Sequence, residues 1–593
     1  MGRDRKKLKS RRHKSDIRKS STFQETKPKN KMQITISKDM PQFLVEANTA
    51  ITAGQIERAR ELVNDEAVRR VRRIVEKKPF RTDIMFILAV MLHKTGQLDK
   101  AEEWLKQIIE VQPSALVYNE LAVICDAKGC LSEDIEYLRK AMELDPDNPG
   151  VCHNLGMRLI GTGQIKESID LLRKAVEKEP DNIVFRTNLL HCLHYLPDMD
   201  SHELFEEHKR WGLLHAPLGK AKTVHNNNRN PDRRLRIGYI SPNFRKHSVV
   251  YFFELLLDRH NRENVEVYGY GNVEHQDQIT ERLKEKFDCY RDIYGMDDKA
   301  VANIVEQDAI DILIDLAGHT VQNRLLVMAL KPAPVQVTYL GYAGTTGMQQ
   351  VDYRLTDALA EPPELQEFYS EKLAYLPKGH HCYGPEDFGL GVEPLPALRN
   401  GYVTFGSFNN SCKTNLFIMK LWANILKVND KSHLLLKFKC GIDQGVREHY
   451  FRQFGQLGIS PDRLEIYDWN VPVEHLQLYN RMDIALDTYP YNGATTTCEA
   501  LWMGVPVISL TGKTYVSRLG LSILTNVGLG FFAASTPEEY VAKATALAAK
   551  PEALAKIRAT MRQRMLVSSL CDAKTFADSV EEAYRKMWHR WCL

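Results

Sequence analysis

Hydrophobic positions along this chain keep one rhythm in its first third and another in the remainder. Between residues 44 and 195 apolar residues recur at helical spacing, punctuated by glycine and proline at fixed intervals. The stretches Lys94-Thr-Gly-Gln-Leu-Asp-Lys-Ala101, Ala127-Lys-Gly-Cys-Leu-Ser-Glu-Asp134 and Gly161-Thr-Gly-Gln-Ile-Lys-Glu-Ser168 recur in phase. Their glycines Gly96, Gly129 and Gly163 lie 33 and then 34 residues apart. Pro79, Pro113, Pro146 and Pro180 repeat at 34, 33 and 34. This is the period of helix–turn–helix tetratricopeptide repeats, in which glycine frees the turn within a pair and proline stops the second helix. An earlier unit at Gly54 is longer: Gly54 to Gly96 is 42 residues, so about two extra helical turns enter near residues 64–73. Such a stack presents a concave groove suited to peptides, or serves as a scaffold with no ligand of its own.

From residue 235 the pattern changes to short apolar runs between amphipathic helices. Leu235-Arg-Ile-Gly-Tyr-Ile-Ser241, Val265-Glu-Val-Tyr-Gly-Tyr270, Asp311-Ile-Leu-Ile-Asp-Leu316, Val335-Gln-Val-Thr-Tyr-Leu340 and Tyr353-Arg-Leu-Thr-Asp357 read as strands. A second series runs through 402–406, 433–438, 463–467, 484–486 and 505–510, followed by closing helices from 537 to 591. Near-continuous apolar strands between helices predict parallel, doubly wound sheets. The expected organisation is a basic disordered tail (1–43), repeats (44–195), a capping helix and linker (196–234), and two Rossmann-like lobes (235–398 and 399–593), the closing helices belonging to the second.

Composition is ordinary for a globular protein, 44% hydrophobic and 26% charged. The net charge of +4 conceals an asymmetry, because residues 1–31 carry 13 Lys/Arg against 3 Asp/Glu and leave the rest at −6. The tail lacks apolar periodicity and is expected to be a solvated extension, with at most weak binding of nucleic acid or anionic surfaces. No run is long and apolar enough to span a bilayer, the tail has no secretory core, and the eleven cysteines form no CxxC pairs. A cytoplasmic protein with reduced thiols and no membrane partner is expected.

Chemistry concentrates in residues 482–507. A buried strand runs into a Tyr/Pro/Asn/Gly turn, and Thr495, Thr496 and Thr497 open a helix that ends at Gly504 before a second buried strand. Backbone N–H groups and hydroxyls at a helix N-terminus beyond a buried strand suit a diphosphate. Glu499, one turn further in, is placed to reach a hydroxyl-bearing ligand. Two sheets in tandem make a cleft at the carboxyl ends of their strands. His247 follows the first strand in Ser241-Pro-Asn-Phe-Arg-Lys-His-Ser248, and His319 follows another in Leu316-Ala-Gly-His-Thr320. Lys413 lies beyond a strand of the second half, in Phe408-Asn-Asn-Ser-Cys-Lys413. The topology predicts that these groups converge. No carboxylate pair with metal-binding placement stands out.

Several motifs then stand in a telling order. They are Arg236-Ile-Gly-Tyr-Ile-Ser-Pro with His247-Ser-Val, Lys331-Pro-Ala-Pro-Val-Gln-Val, Leu340-Gly-Tyr with Gly344-Thr-Thr-Gly347, and Thr404-Phe-Gly-Ser-Phe-Asn-Asn410 with Lys413. Thr495-Thr-Thr-Cys-Glu-Ala-Leu-Trp-Met-Gly-Val-Pro506 completes the set. Over about residues 44–590 the chain resembles the protein O-glycosyltransferases that join tetratricopeptide repeats to a GT-B fold, the O-GlcNAc transferases and the SPINDLY proteins. The resemblance implies an α-solenoid followed by a GT-B fold of two Rossmann-like domains. It implies that Lys413 holds the donor diphosphate and offsets charge developing on the leaving nucleotide. Thr495, Thr496 and Thr497 would bind the same diphosphate, and ordinary helix capping is compatible with that role. By the same resemblance His475 packs on the nucleobase, and Asn410 takes a donor-binding position where O-GlcNAc transferases have glutamine. His247 lies on the acceptor side, as general base or positioning group. His319, Asp308 and Asp315 are secondary candidates; aspartates beside buried strands also serve as caps and ion-pair partners.

The chain departs from the O-GlcNAc transferases in three places. Ala494 stands where they have a histidine, Pro472 where a lysine is expected, and Leu478 where an arginine is expected. Thr495-Thr-Thr-Cys-Glu499 and Gly318-His-Thr320 are closer to SPINDLY, whose donor is GDP-fucose. The reaction implied is transfer of a sugar from a nucleotide diphosphate to Ser or Thr of proteins held by the repeats. GlcNAc from UDP-GlcNAc is the conventional donor, GDP-fucose the rival, and asparagine an alternative acceptor. No cofactor and no metal are expected. A non-catalytic peptide-binding scaffold is the alternative from another class.

Overall fold

The structure, a computed structural model, describes residues 40–78, 80–385, 388–468 and 472–593. The basic tail up to residue 39, and Pro79, lie outside the described residues.

The repeats fold as helix pairs, and the sequence shows why. The irregular first unit is α1 (Gln42–Thr52), α2 (Ile56–Leu62) and α3 (Asp65–Lys77). Three pairs follow: α4 (Thr82–Lys94) with α5 (Leu98–Val111), α6 (Ala115–Lys128) with α7 (Leu131–Leu144), and α8 (Pro149–Ile160) with α9 (Ile165–Lys178). Gly96, Gly129 and Gly163 take φ of +80°, +81° and +77° in the turns inside the pairs. Between pairs, Pro113, Pro146 and Pro180 are each followed within two residues by the cap of the next helix, namely Ser114, Asn148 and Asn182. The extra length of the first unit makes a second short helix rather than a longer one. Asn64 breaks the run and caps α3 by accepting from the Glu66 and Ala67 N–H groups. Two further helices, α10 (Ile183–Leu193) and α11 (Ser201–His215), close the arm.

The rest of the chain forms two parallel sheets of matching topology. The first contains β1 (Leu235–Ser241), β2 (Val265–Gly271), β3 (Cys289–Asp292), β4 (Ile312–Asp315), β5 (Val335–Thr338), β6 (Tyr353–Thr356) and β7 (Lys372–Tyr375), in the order 3-2-1-4-5-6-7. The second contains β8 (Thr404–Ser407), β9 (His433–Lys437), β10 (Leu464–Tyr467), β11 (Ile484–Leu486), β12 (Val507–Leu510) and β13 (Ala533–Ala534), in the order 10-9-8-11-12-13. The architecture is therefore the solenoid plus two Rossmann-like lobes expected from the sequence. Strand order reverses between β1 and β4 in one lobe and between β8 and β11 in the other. Those two switch points are where α/β sheets open a crevice.

A short sequence repeat builds both switch points. Asp311-Ile-Leu-Ile-Asp315 carries β4 and Asp483-Ile-Ala-Leu-Asp487 carries β11. The first aspartate of each ties the start of the neighbouring strand, Asp311 accepting from the Arg236 N–H and Asp483 from the Thr404 N–H, both at 2.8 Å. The second holds the loop beyond the strand, Asp315 through the Ala317 and Gly318 N–H groups and Asp487 through those of Thr488 and Gly493.

The lobes share material. The C-terminal helix Ala573–Cys592, expected in the second lobe, crosses back and buries Phe576, Val580, Tyr584 and Trp588 in the core of the first. Its apolar stripe covers one face of the first sheet, while Leu190 of α10 and Trp211 of α11 enter the core on the other. The placing of this closing helix in the second lobe is thus corrected: chain order does not assign the helix to its lobe. Near the cleft Asp357 accepts from the Ser522 hydroxyl at 2.8 Å and pairs with His380, whose Nε2 lies 2.7 Å from the Tyr515 hydroxyl. These bonds latch one lobe to the other.

Candidate active site

Four loops reach the cleft from the switch points, those after β1, β4, β8 and β11. In the second lobe the loop after β8 becomes a 3-10 turn, Ser411–Lys413, that carries the lysine inward. The Lys413 ammonium donates to the Asn492 carbonyl at 2.8 Å and lies 4.1 Å from the centre of the Tyr491 ring. Burial pulls its pKa down to about 8, against the opposing pull of Cys412 and Asp487. Asn492 stands three residues before the helix Thr495–Trp502, and no side chain caps that helix at Ala494. The ammonium and the positive end of a helix dipole therefore share one small region. The Thr496 hydroxyl donates to Asn409 Oδ1 at 3.0 Å, and that of Thr497 to the Gly493 carbonyl at 3.0 Å. A Cβ on Gly493 would sit 2.4 Å from Thr496 Oγ1, so only glycine fits this approach to the helix.

One turn along the same helix, Glu499 meets the histidine. His475 Nε2 lies 2.9 Å from Glu499 Oε2, its Nδ1 lies 2.7 Å from the Lys437 ammonium, and the Tyr479 hydroxyl donates to Glu499 at 3.3 Å. An ammonium has no lone pair, so the imidazole accepts at Nδ1 and donates from Nε2. Burial pulls the Lys437 pKa down to about 8, with Glu499 and Asp468 opposing. The ring of Phe408 flanks the group, 5.8 Å from that of His475. Glu499, read from sequence as reaching a hydroxyl-bearing ligand, is already a partner of His475 and Tyr479 through Oε2.

Other candidates take different places. Asn410 is exposed and caps the 411–413 turn, while its neighbour Asn409 reaches the threonine helix. His247 sits in the loop after β1, and its Nδ1 accepts the Val249 N–H at 3.3 Å. Burial, with Arg245 nearby, pulls its pKa down to about 4. The ring is therefore neutral at pH 7 and holds its proton on Nε2, a donor rather than a proton acceptor. His319 is buried, its Nε2 donating to the Thr346 carbonyl at 2.8 Å and its ring set against Trp211 and Tyr342. Asp315 is a buried loop cap, its pKa raised by burial to about 6. Asp308 pairs with Arg291 at 2.7 Å and accepts from the Tyr270 hydroxyl, before β4 and so at the opposite edge of the sheet. Neither aspartate joins the cleft groups, because each is consumed by the fold. Among the described residues no cluster of His, Cys, Asp or Glu is placed to hold a metal ion.

The match to known proteins follows this geometry. The model of glycosyl transferase family 41 matches residues 211–384 and 395–580, and tetratricopeptide repeat models match 44–115 and 115–148. The chain belongs to glycosyl transferase family 41. Among relatives of this family-41 chain, a rice protein described as a probable UDP-N-acetylglucosamine–peptide N-acetylglucosaminyltransferase SPINDLY is 41% identical over 68% of the chain and 44% of its own length. An Arabidopsis thaliana protein described likewise, SEC, is 34% identical over 61% of the chain and 38% of its own. The chain thus spans less than half the length of these relatives. A solved structure of a Thermobaculum terrenum O-GlcNAc transferase mutant superposes with a TM-score of 0.79 at 32% identity, covering 86% of this chain and 98% of that one.

Sequence reasoning missed three contributors in this family-41 chain. Lys437 was legible as the charged end of the apolar strand His433-Leu-Leu-Leu-Lys437. Asn409 was masked by its neighbour. In the arm, Asn119, Asn154 and Asn188 recur at 35 and 34 residues on α6, α8 and α10. The Asn154 amide donates to Asn119 at 2.9 Å, and the Asn188 amide lies 2.9 Å from His153 Nε2, a ladder of polar groups along the repeats.

Proposed function

We propose that this chain transfers a sugar from a nucleotide diphosphate to Ser or Thr hydroxyls of proteins, with GlcNAc from UDP-GlcNAc as the family's conventional donor. The observation that carries the reading is the Lys413 ammonium at the foot of the uncapped helix Thr495–Trp502, at a switch point of the second sheet. The diphosphate lies on the helix N–H groups and threonine hydroxyls, the nucleoside toward His475, Glu499 and Lys437. As the acceptor oxygen bonds to the anomeric carbon, the bond from that carbon to the diphosphate oxygen breaks, and its electron pair leaves with the nucleotide. Lys413 and the helix terminus stabilise that charge. His247, a donor from Nε2, orients the reacting groups rather than acting as base. That leaves the departing diphosphate to take the hydroxyl proton. The half-exposed Asn119 and Asn154 of the repeats supply hydrogen-bonding groups for an extended acceptor polypeptide.

GDP-fucose is the second reading for the donor, favoured by Ala494, Pro472 and Leu478 at positions where O-GlcNAc transferases carry His, Lys and Arg. Incubating the protein and an acceptor with each donor in excess chelator, then measuring free nucleotide and acceptor mass, separates the two. A GlcNAc or a fucose increment identifies the sugar. No increment with either donor, alongside retained peptide binding, would leave only the scaffold.

A further inference from the structure

The end of the solenoid meets the surroundings of Lys413 at two residues, Gly163 and Tyr195. Gly163, the turn glycine of the third regular repeat, packs so tightly that an added Cβ would stand 2.3 Å from the carbonyl oxygen of Thr414, the residue after Lys413. Tyr195, just beyond α10 and 3% exposed, stacks on Tyr491 with ring centres 5.2 Å apart and planes at 24°. Tyr491 is the ring that faces the Lys413 ammonium. The Tyr195 hydroxyl lies 3.2 Å from His191 Nε2, and Tyr195 packs in the same buried cluster as Cys412, the residue before Lys413. Cys192, Tyr195 and Cys412 belong to one buried cluster, with Tyr491 packed against it.

We propose that Tyr195 is a positioning residue for the nucleotide diphosphate: through Tyr491 and Cys412 it holds the Lys413 side chain in its binding pose, so that the repeat arm completes the donor site. The proposal rests on the reading of Lys413 as the diphosphate's partner. A lysine carries long, flexible methylenes, and a ring stacked beneath its ammonium removes most of that freedom before the ligand arrives. The same packing excludes water from the ammonium, which is why its pKa falls. Its charged and titratable neighbours are Cys412, Asp487 and His191, with Tyr491 beneath it.

Equilibrium dialysis of the full chain with UDP and with GDP, from pH 7 to pH 10, tests this in the wild type and in Tyr195→Leu, Tyr195→Phe and Lys413→Met. Tyr195→Leu should bind the preferred nucleotide about tenfold more weakly at pH 7, with the loss of affinity at alkaline pH moved upward as Lys413 is exposed to water. Tyr195→Phe, which keeps the stacked ring, should recover affinity to within about threefold of wild type. A Tyr195→Leu protein of wild-type affinity and unchanged alkaline limb overturns the proposal. So does a loss in which Tyr195→Phe is no better than Tyr195→Leu. If Tyr195→Leu fails to fold, Tyr491→Leu, which removes the intermediate ring, takes its place with the same expectations. If the wild type binds neither nucleotide, the donor-site reading itself has failed, an outcome distinct from the other two.

Discussion

The two lobes are built on one plan and equipped differently. Both place a D-I-x-x-D strand beside the switch point, both tie the neighbouring strand with the first aspartate, and both anchor the following loop with the second. The pKa values of Asp315 and Asp487 are raised by burial to the same value, about 6. Beyond that shared frame the loops diverge. After β11 the chain enters the uncapped helix Thr495–Trp502, and the loop after β8 brings Lys413 to its foot. After β4 the first lobe has no such helix; its loop turns His319 into the seat of the arm, and the loop after β1 offers a neutral His247. The comparison teaches that the groups proposed to bind the anion lie in the loops, while the strands supply a common mount.

Breaking the asymmetry at its strongest point should have the largest effect. Lys413→Met is expected to lower kcat/KM by about 100- to 1000-fold with the melting temperature nearly unchanged, since the lost charge acts mainly on the leaving group. His247→Ala, in the other lobe, should lower kcat while leaving nucleotide affinity within about twofold, because a group on the acceptor side binds only the transition state. Equal loss of nucleotide affinity in both variants would erase the distinction between the lobes.

The seat of the arm separates them next. Against the first lobe, His194 and His208 place their Nε2 atoms 3.0 and 2.7 Å from the Tyr342 hydroxyl, with His319 beside them. Burial pulls His191 and His208 down to about 4, and His194 and His319 well below the ordinary imidazole value. Unfolded imidazoles take up protons near pH 6.5, so between there and pH 4 the unfolded chain binds more protons and stability falls as pH falls. His191 and His208 each contribute on the order of 3 kcal/mol across that range. The raised carboxyls of Asp315, Glu371, Asp483 and Asp487 act in the opposite sense, but burial also holds His153, His247 and His381 low, so depressed rings outnumber raised carboxyls. Melting temperature should therefore drop steadily from pH 6.5 to pH 4.5, and a flat profile would contradict the seat as described.

Smaller effects sharpen the comparison inside each lobe. Asp487→Ala should weaken nucleotide binding about tenfold by freeing the Gly493 loop, whereas Asp315→Ala should cost similar stability, about 1–3 kcal/mol, with nucleotide affinity unchanged. Parallel calorimetry and thermal melts on the two variants distinguish these outcomes. Lys437→Met should raise the donor KM only about three- to tenfold, since it acts through His475; no change would remove Lys437 from the nucleoside side.

Much of this was legible from residue order. Recurrent glycines and prolines fixed the repeats because the turn and the helix stop are local properties of those residues. The central strands were legible because they are buried on both faces. β3, β7 and β13 were missed: β3 and β7 are half-exposed edge strands without a continuous apolar run, and β13 is two residues long. The return of the C-terminal helix to the first lobe was hidden because an amphipathic stripe does not name its partner. In the candidate site, motif and helix start were the signals that singled out Lys413 and the threonine run, whose proximity the structure shows. Lys437 reaches His475 only through the pairing of strands and helices distant in sequence. Asp308 and Asp315 showed the converse, residues of the right type at strand ends that the fold uses for itself.

The most direct measurement is a calorimetric titration of the wild type and of Lys413→Met with UDP and GDP in excess chelator. The account predicts saturable binding of one nucleotide by the wild type and its loss in Lys413→Met. Absence of binding for both nucleotides, or equal affinity in the two proteins, would contradict the claim that Lys413 and the helix Thr495–Trp502 hold a nucleotide diphosphate.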